Sequence, residues 1–206
     1  MKTALSKVIL FFVLLFLCAS CGTNIGTQVK NNDTPVMKVL SYDVNSDRNI
    51  ASLYNGYDIE VSLSEPSSLD VVDLSISKDN HLLANKAFES DPIKTIYIGD
   101  VNKDNLPEVF FVNQSVGSGA YGEVIGYAFK NDRFIRINTP TLPTKFESSY
   151  QGHDKYSMNS DTLVRVFPVY KDNDSNINPS GGKVILKYTL NKNLEWVQQS
   201  ITSSAE

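Results

Sequence analysis

The sequence contains little cysteine and little histidine, which limits both its cross-links and its catalytic chemistry. The two cysteines are Cys18 and Cys21, and the two histidines are His81 and His153. Neither pair has the spacing of a zinc site or the nucleophile-and-base arrangement of a covalent enzyme. We expect His153 and Asp154 to form a surface turn rather than a catalytic pair. The scarcity and spacing of these residues predict a protein that is not an enzyme.

Two further patterns are missing: a cluster of basic side chains and a sustained helical repeat of apolar residues. The chain has 19 Lys and Arg residues against 23 Asp and Glu residues, which gives a formal net charge of -4. Without a basic patch, nucleic acid is not an expected partner. Without an apolar repeat at helical spacing, the sequence predicts no long amphipathic helix.

The N-terminal segment, residues 1–20, does carry a recognisable pattern, and it predicts a bacterial lipoprotein signal peptide. Two lysines precede a short apolar run, residues 8–17, and small residues lie directly before Cys21. This arrangement resembles a signal whose cleavage leaves a lipid-modified cysteine as the first residue. Cys18 replaces the leucine that is usual at the third position before the cut. A plain signal peptide that is cut elsewhere is the alternative.

Cleavage before Cys21 would affect stability, charge and location. No cysteine would remain for a disulfide, so the fold would depend on an apolar core, which a chain of this length can form. Two of the 19 basic residues would leave with the signal, so 17 would face 23 acidic residues, a net charge of -6 that attracts a basic protein partner. Residues 21–35 have the composition of a flexible tether. The lipid would hold a single domain, residues 36–206, on the periplasmic face or the outer surface of a membrane.

Alternation of apolar and polar residues indicates candidate β-strands along this domain, including residues 36–44, 69–77, 93–98, 162–170, 183–190 and 194–199. Residues 58–64 alternate cleanly, as in a strand with one face in solvent. Residues 108–113 contain four consecutive apolar residues and are expected to form a central strand covered on both faces. Residues 81–87 are ambiguous between a short strand and a helical turn.

The turns between these segments are short and polar, which favours antiparallel pairing. Residues 122–129 and 133–137 are expected to form a hairpin, because Asn131 and Asp132 tolerate a left-handed backbone between them. We therefore predict an all-β fold, an antiparallel β-sandwich or flattened barrel of about eight to nine strands.

An acidic turn precedes the predicted central strand. Asp100, Asn102 and Asp104 place side-chain oxygens at alternate positions. Glu108 adds another oxygen ligand at the ninth position, and the spacing is typical of a loop that wraps a calcium ion. The sixth position, which is usually glycine, holds Asn105, and the twelfth holds no glutamate. A structural turn whose side chains bind its own backbone is one alternative, and an acid-base site of an envelope enzyme is another.

A glycine-rich loop follows the central strand. Residues 117–122 read Gly-Ser-Gly-Ala-Tyr-Gly. Glycine frees the backbone for a tight turn, while Ser118 and Tyr121 carry a hydroxyl and a phenol. We expect Gly119 to need a positive φ. On composition alone, an ordinary hairpin connection is the alternative.

A polar segment near the C-terminus, residues 172–182, reads Asp-Asn-Asp-Ser-Asn-Ile-Asn-Pro-Ser-Gly-Gly and follows an apolar strand, residues 163–171. Together with the glycine-rich loop, this block resembles the periplasmic inhibitors of invertebrate-type lysozyme. The resemblance covers roughly residues 94–196. In that family a loop written Ser-Gly-x-Tyr enters the active-site cleft of the lysozyme.

The resemblance implies a function for the glycine-rich loop. The matching residues here are Ser118, Gly119, Ala120 and Tyr121. Ser118, Gly119 and Tyr121 are the implied contacts with the lysozyme. The protein would occlude the cleft and block peptidoglycan hydrolysis, without a catalytic residue or a cofactor of its own. The alternative hypothesis is a calcium-stabilised structural or saccharide-binding lipoprotein of the cell envelope, with calcium bound in the acidic turn.

Overall fold

The structure, a computed structural model, describes residues 38–45 and 47–204. The predicted signal peptide, Cys21 and the predicted tether lie outside the described residues. Within these two ranges the chain forms thirteen β-strands and one short 3-10 helix. No helix in the described part of the chain is long and apolar enough to cross a membrane.

Most consecutive strands are joined by short turns. The 3-10 helix, Thr144–Ser149, lies between the ninth and tenth strands. The strands are β1 (Leu40–Asp43), β2 (Asn49–Tyr54), β3 (Tyr57–Leu63), β4 (Asp70–Lys78), β5 (His81–Ser90), β6 (Ile93–Gly99), β7 (Glu108–Gln114), β8 (Gly122–Lys130), β9 (Arg133–Ile137), β10 (Lys155–Asn159), β11 (Thr162–Pro168), β12 (Lys183–Leu190) and β13 (Trp196–Ser204).

The strands form three antiparallel sheets. The central sheet has five strands in the order β1-β6-β7-β8-β9. The N-terminal sheet has the order β2-β3-β4-β5, and the C-terminal sheet has the order β10-β11-β12-β13. Between β8 and β9, Asn131 and Asp132 have φ angles of 52 and 54 degrees, so the predicted left-handed hairpin turn is confirmed.

The central sheet has an apolar core on each of its faces. In β7, Val109 and Phe111 belong to the core that includes side chains of the N-terminal sheet. Phe110 and Val112 belong to the core that includes side chains of the C-terminal sheet. Because successive side chains of a strand alternate between faces, a strand in a middle layer needs an unbroken apolar run. The prediction of a central strand is confirmed.

The all-β class and the antiparallel sandwich are confirmed, but the described strands number thirteen rather than eight to nine and form three open sheets. Residues 81–87 belong to a strand, β5. Two strands, β2 and β10, were not predicted. The inward-facing Ser52 of β2 accepts a hydrogen bond from Tyr42 at 2.9 Å, and the outward-facing Leu53 is 69% exposed. At these two positions β2 buries the polar residue and exposes the apolar one, which is the reverse of the usual pattern. The buried hydroxyl is tolerated because Tyr42, ten residues away, satisfies its hydrogen bonding.

Candidate functional site

The glycine-rich loop joins β7 to β8 in the central sheet, where the whole connection between the two strands spans residues 115–121 and Gly122 begins β8. The strand register pairs Gln114 with Gly122, so both ends of the loop are fixed. The amide of Ser115 donates to the carbonyl of Tyr121 at 2.9 Å, and the hydroxyl of Ser115 accepts from the amide of Tyr121 at 2.9 Å. This reciprocal pair closes the loop at its base and gives the backbone one defined path.

The side chains of the loop are largely free. Tyr121 is 48% exposed, Val116 is 71% exposed, and Ser118 is also exposed. One edge of the Tyr121 ring is supported by Tyr150, with 5.8 Å between the ring centroids and an angle of 66 degrees between the rings. The loop therefore presents a hydroxyl and a partly supported phenol, while Gly119 is buried and contributes through its backbone.

The expectation that Gly119 needs a positive φ is wrong. The positive φ lies at the next residue, Ala120, with 41 degrees. Gly119 is needed for a different reason, because a Cβ at this position would lie 2.3 Å from Cε2 of Tyr121. The absence of a side chain lets the tyrosine ring fold back over the loop backbone, which the sequence does not reveal.

A neighbouring loop, residues 150–154, contacts the glycine-rich loop through the backbone. The amide of His153 donates to the carbonyl of Gly119 at 2.7 Å. Gly152 has a φ of 91 degrees, and a Cβ there would lie 2.1 Å from the same carbonyl oxygen. Gly152 is therefore a position of both left-handed backbone and close approach, which favour glycine.

The polar loop, residues 169–182, joins β11 to β12 and also reaches the glycine-rich loop. Nδ2 of Asn176 donates to the carbonyl of Ser118 at 2.8 Å. Oδ1 of Asn176 lies 3.1 Å from Nε2 of His153. The main-chain carbonyl of Asn176 accepts from the hydroxyl of Tyr170 at 2.9 Å. Asn176 thus connects all three loops. No pattern in the sequence distinguishes Asn176 from the Asp and Asn residues around it.

A buried ion pair anchors the 150–154 loop. Nε of Arg165 donates to Oδ1 of Asp154 at 2.8 Å, and neither side chain is more than 5% exposed. Oδ2 of Asp154 accepts from the amide of Gly122 at 3.3 Å and from the hydroxyl of Tyr150. The expectation of a surface turn at His153 and Asp154 is wrong for Asp154, which is buried and paired with Arg165 of β11.

Aromatic rings surround this ion pair. The guanidinium carbon of Arg165 lies 5.3 Å from the ring centroid of Tyr150 and 5.5 Å from that of Tyr156, within the range of cation-π attraction. Burial raises the pKa values of Tyr150, Tyr156 and Tyr188 above the usual range of a phenol. These phenols stay protonated at neutral pH. Arg165 and the hydroxyl of Tyr150 bind Asp154, and Asp154 in turn accepts from the amide of Gly122 at the end of the loop.

The acidic turn brings its three carboxylates together. One oxygen from each of Asp100, Asp104 and Glu108 lies within 4.8 Å of the others. Glu108 is buried, and its Oε2 accepts from the amides of Val101 at 2.7 Å and Asn102 at 3.3 Å. Burial nevertheless raises the pKa of Glu108 to about 8.

The other side chains of the turn bind its own backbone. The amide of Asp104 donates to Oδ1 of Asp100 and to Oδ1 of Asn102, both at 2.9 Å. The amide of Asn105 donates to Oδ2 of Asp100 at 3.0 Å, and the amide of Leu106 donates to Oδ1 of Asp104 at 3.0 Å. These bonds are typical of a structural turn. The carboxylate cluster also has the chemistry of a cation site, so calcium binding stays a prediction.

The acidic turn and the glycine-rich loop lie at opposite ends of β7. A strand of this length separates its ends by about 20 Å, so the two features are separate candidate sites. Of the predicted residues, Ser118, Gly119 and Tyr121 lie together in one loop, and Asp100, Asn102, Asp104 and Glu108 lie together in the other. Comparison with protein-family models, with curated proteins and with solved structures gave no match to this chain.

Proposed function

We propose that this protein inhibits a lysozyme of the invertebrate type by inserting residues 118–121 into the active-site cleft, which blocks peptidoglycan hydrolysis. The observation that carries the proposal is the combination of a fixed backbone with free side chains in the glycine-rich loop. Ser115, His153 and Asn176 hold its backbone, whereas Ser118 and Tyr121 are accessible. The match to the Ser-Gly-x-Tyr pattern supports the choice of partner.

The chemistry of the loop suits a lysozyme cleft. Such a cleft contains two carboxyl groups, one kept protonated by an apolar pocket and one ionised. The hydroxyl of Ser118 can donate to the ionised carboxylate and accept from the protonated acid. Tyr121 adds a rigid ring and one hydroxyl for the saccharide groove. The two side chains would thus replace contacts that the substrate makes.

The fixed backbone would favour tight binding. A loop that is ordered before binding loses less conformational entropy when it enters a cleft. The hydrogen bonds from Ser115, His153 and Asn176 supply this order in the free protein. Gly119 keeps the loop narrow, since any side chain there would displace the Tyr121 ring.

We further propose that a lipid on Cys21 holds the domain at a bacterial membrane, on the periplasmic face or the outer surface. This part of the proposal is supported by the sequence of residues 1–35 alone. A lysozyme that attacks the cell wall would meet the inhibitor there. The acidic net charge would accelerate association with a basic lysozyme.

The direct test adds the purified protein to invertebrate-type, chicken-type and goose-type lysozymes and measures the rate of cell-wall lysis. We expect the invertebrate-type enzyme to be inhibited at stoichiometric concentrations. Inhibition of another class alone would keep the mechanism and change the partner. Full activity of all three enzymes would contradict the proposal.

A calcium-stabilised protein of the cell envelope is the second candidate function, and the three clustered carboxylates of the acidic turn support it. In this case the glycine-rich loop is only a connection between strands. The expected properties are a melting temperature that rises with calcium and no effect on any lysozyme. The lysis assay and a calcium titration therefore separate the two functions.

A further inference from the structure

The polar loop, residues 169–182, has no contact role in the proposed function, yet it is much longer than an ordinary connection. A hairpin loop commonly has about two to five residues, and much longer ones are usually functional. At its base the amide of Val169 donates to the carbonyl of Gly182 at 3.0 Å, and the amide of Gly181 donates to the carbonyl of Val169 at 2.8 Å. A Cβ at Gly181 would lie 2.6 Å from that carbonyl oxygen. The base of the loop is therefore closed tightly.

The polar loop is also ordered internally. The carboxylate of Asp174 accepts from the amide of Lys171 at 2.7 Å and from the amide and hydroxyl of Ser180, both at 2.8 Å. The amide of Asn178 donates to the carbonyl of Ser175 at 3.0 Å. The carboxylate of Asp174 is therefore satisfied by hydrogen bonds from its own loop. The tip is thus held in one shape, as expected of a preorganised binding element.

The tip of this loop exposes an apolar side chain beside the glycine-rich loop. Ile177 is 81% exposed, more than any other large apolar residue in the described part of the chain. Its neighbour Asn176 is bonded to the backbone of Ser118, so Ile177 is adjacent to the loop that also carries the exposed Val116 and Tyr121. Exposed apolar side chains on neighbouring loops are typical of a protein-binding surface.

We propose that the polar loop is a second contact element for the same lysozyme, with Ile177 packing against an apolar patch on the rim of the cleft that receives Ser118 and Tyr121. Asn176 is the positioning residue, because its side chain fixes the polar loop to the glycine-rich loop. The inference rests on the proposed function. It extends the contact surface from one loop to two and makes the spacing between them part of recognition.

Three variants separate contact from positioning. Ile177→Ser removes the apolar contact and leaves the bonds of Asn176 in place. Asn176→Asp keeps the oxygen that faces His153 but loses the donor to the carbonyl of Ser118. Leu82→Ser is the matched control, because Leu82 is 62% exposed on β5 of the N-terminal sheet, outside the three loops.

The experiment measures the inhibition constant against an invertebrate-type lysozyme and the amide exchange of the free protein. We expect Ile177→Ser to weaken inhibition about tenfold, with unchanged amide exchange at His153. Asn176→Asp should weaken inhibition about as much, and the His153 amide, which bonds to Gly119, should exchange faster in the free protein. Leu82→Ser should alter neither quantity.

The outcomes distinguish this inference from the proposed function. If the parent protein inhibits and Ile177→Ser inhibits equally well, the second contact is overturned while the lysozyme proposal stands. If Asn176→Asp leaves the exchange of His153 unchanged, Asn176 is not a positioning residue, whatever the lysis assay gives. If the parent inhibits none of the lysozymes, both the proposed function and the second contact are overturned.

Discussion

The turns at the two ends of β7 use their side chains in opposite ways. In the acidic turn, the carboxylates of Asp100, Asp104 and Glu108 accept hydrogen bonds from the amides of the same turn. In the glycine-rich loop, the backbone is held by main-chain bonds and by the side chains of Gln114, Ser115 and Asn176, whereas Ser118 and Tyr121 remain accessible. The first arrangement suits a structural turn or a small cation, and the second suits a protein partner.

The difference shows how a short loop can have an ordered backbone and still keep side chains free to bind a partner. A side chain that holds its own backbone has fewer hydrogen-bonding positions left for a partner. In the glycine-rich loop the holding bonds come from residues outside the Ser-Gly-x-Tyr pattern, namely Ser115, His153 and Asn176. We therefore expect that the proposed contact residues, Ser118 and Tyr121, can be truncated without unfolding the loop, which makes the comparison testable.

The largest expected effect concerns the acidic turn and pH. The pKa of Glu108 is raised to about 8 from the ordinary 4.5, so between these values the folded state binds more protons than the unfolded state. The contribution of Glu108 to the free energy of unfolding should therefore fall as pH rises through this window, by up to about 1.4 kcal/mol per pH unit. Urea unfolding in the presence of a calcium chelator measures it.

Glu108→Gln is the control for this pH effect, because the amide cannot ionise and keeps an oxygen that accepts from Val101 and Asn102. The difference in free energy of unfolding between parent and variant should shrink or change sign as pH rises. Parallel pH profiles for the two proteins would show that Glu108 is ionised normally and that the turn is not strained by a buried charge.

The next effect concerns the shape of the glycine-rich loop. Gly119→Val should reduce inhibition about a hundredfold, equivalent to about 2.7 kcal/mol, because its side chain would overlap the Tyr121 ring. Gly117→Val is the matched control, since a Cβ at Gly117 meets no atom within 4 Å. Circular dichroism should show the same fold for both. Equal inhibition by the two variants would contradict the packing argument.

Truncation of the contact side chains should have a smaller effect. Ser118→Ala and Tyr121→Ala should each weaken inhibition about tenfold or more, as expected for residues at the centre of an interface. Their melting temperatures should stay close to that of the parent, because both side chains are exposed. A lysis assay gives the inhibition constants. Parent-like inhibition by both variants would remove the loop from the interface.

The smallest effect is expected from calcium. If the acidic turn binds the ion, calcium at about four times its dissociation constant should stabilise the fold by about 1 kcal/mol. Thermal melts with calcium and with a chelator measure the shift. Asp104→Asn should reduce it, because a carboxylate is a stronger calcium ligand than an amide. An unchanged melting temperature in the parent would leave the turn as a structural feature only.

Local signals in the sequence predicted the strands well where pattern and turn chemistry agree. The hairpin of β8 and β9 follows from Asn131 and Asp132, and the position of β7 follows from its unbroken apolar run. β10 was missed although its five residues, Lys-Tyr-Ser-Met-Asn, alternate between polar and apolar side chains, because a segment with two apolar residues is a short and weak pattern. Its place is set by pairing with β11, which sequence patterns do not contain.

For the candidate site, the sequence pointed to the residues that we propose as contacts and missed the residues that support them. Ser118 and Tyr121 belong to a contiguous pattern that can be read directly. Gly152, Asp154 and Asn176 act through contacts with residues distant in the sequence. A glycine at a close approach and an asparagine that bridges two loops look like any other turn residues, so only the folded chain distinguishes them.

The position of β7 in the middle layer has a further consequence for how this protein can change over time. Both faces of the strand are covered by apolar cores, and of its seven residues only Gln114, at one end, is partly exposed. New specificity can therefore arise by exchanging either end turn while the strand stays the same. A turn from another protein could thus replace the acidic turn or the glycine-rich loop while β7 is unchanged, and each of the two could be altered independently of the other.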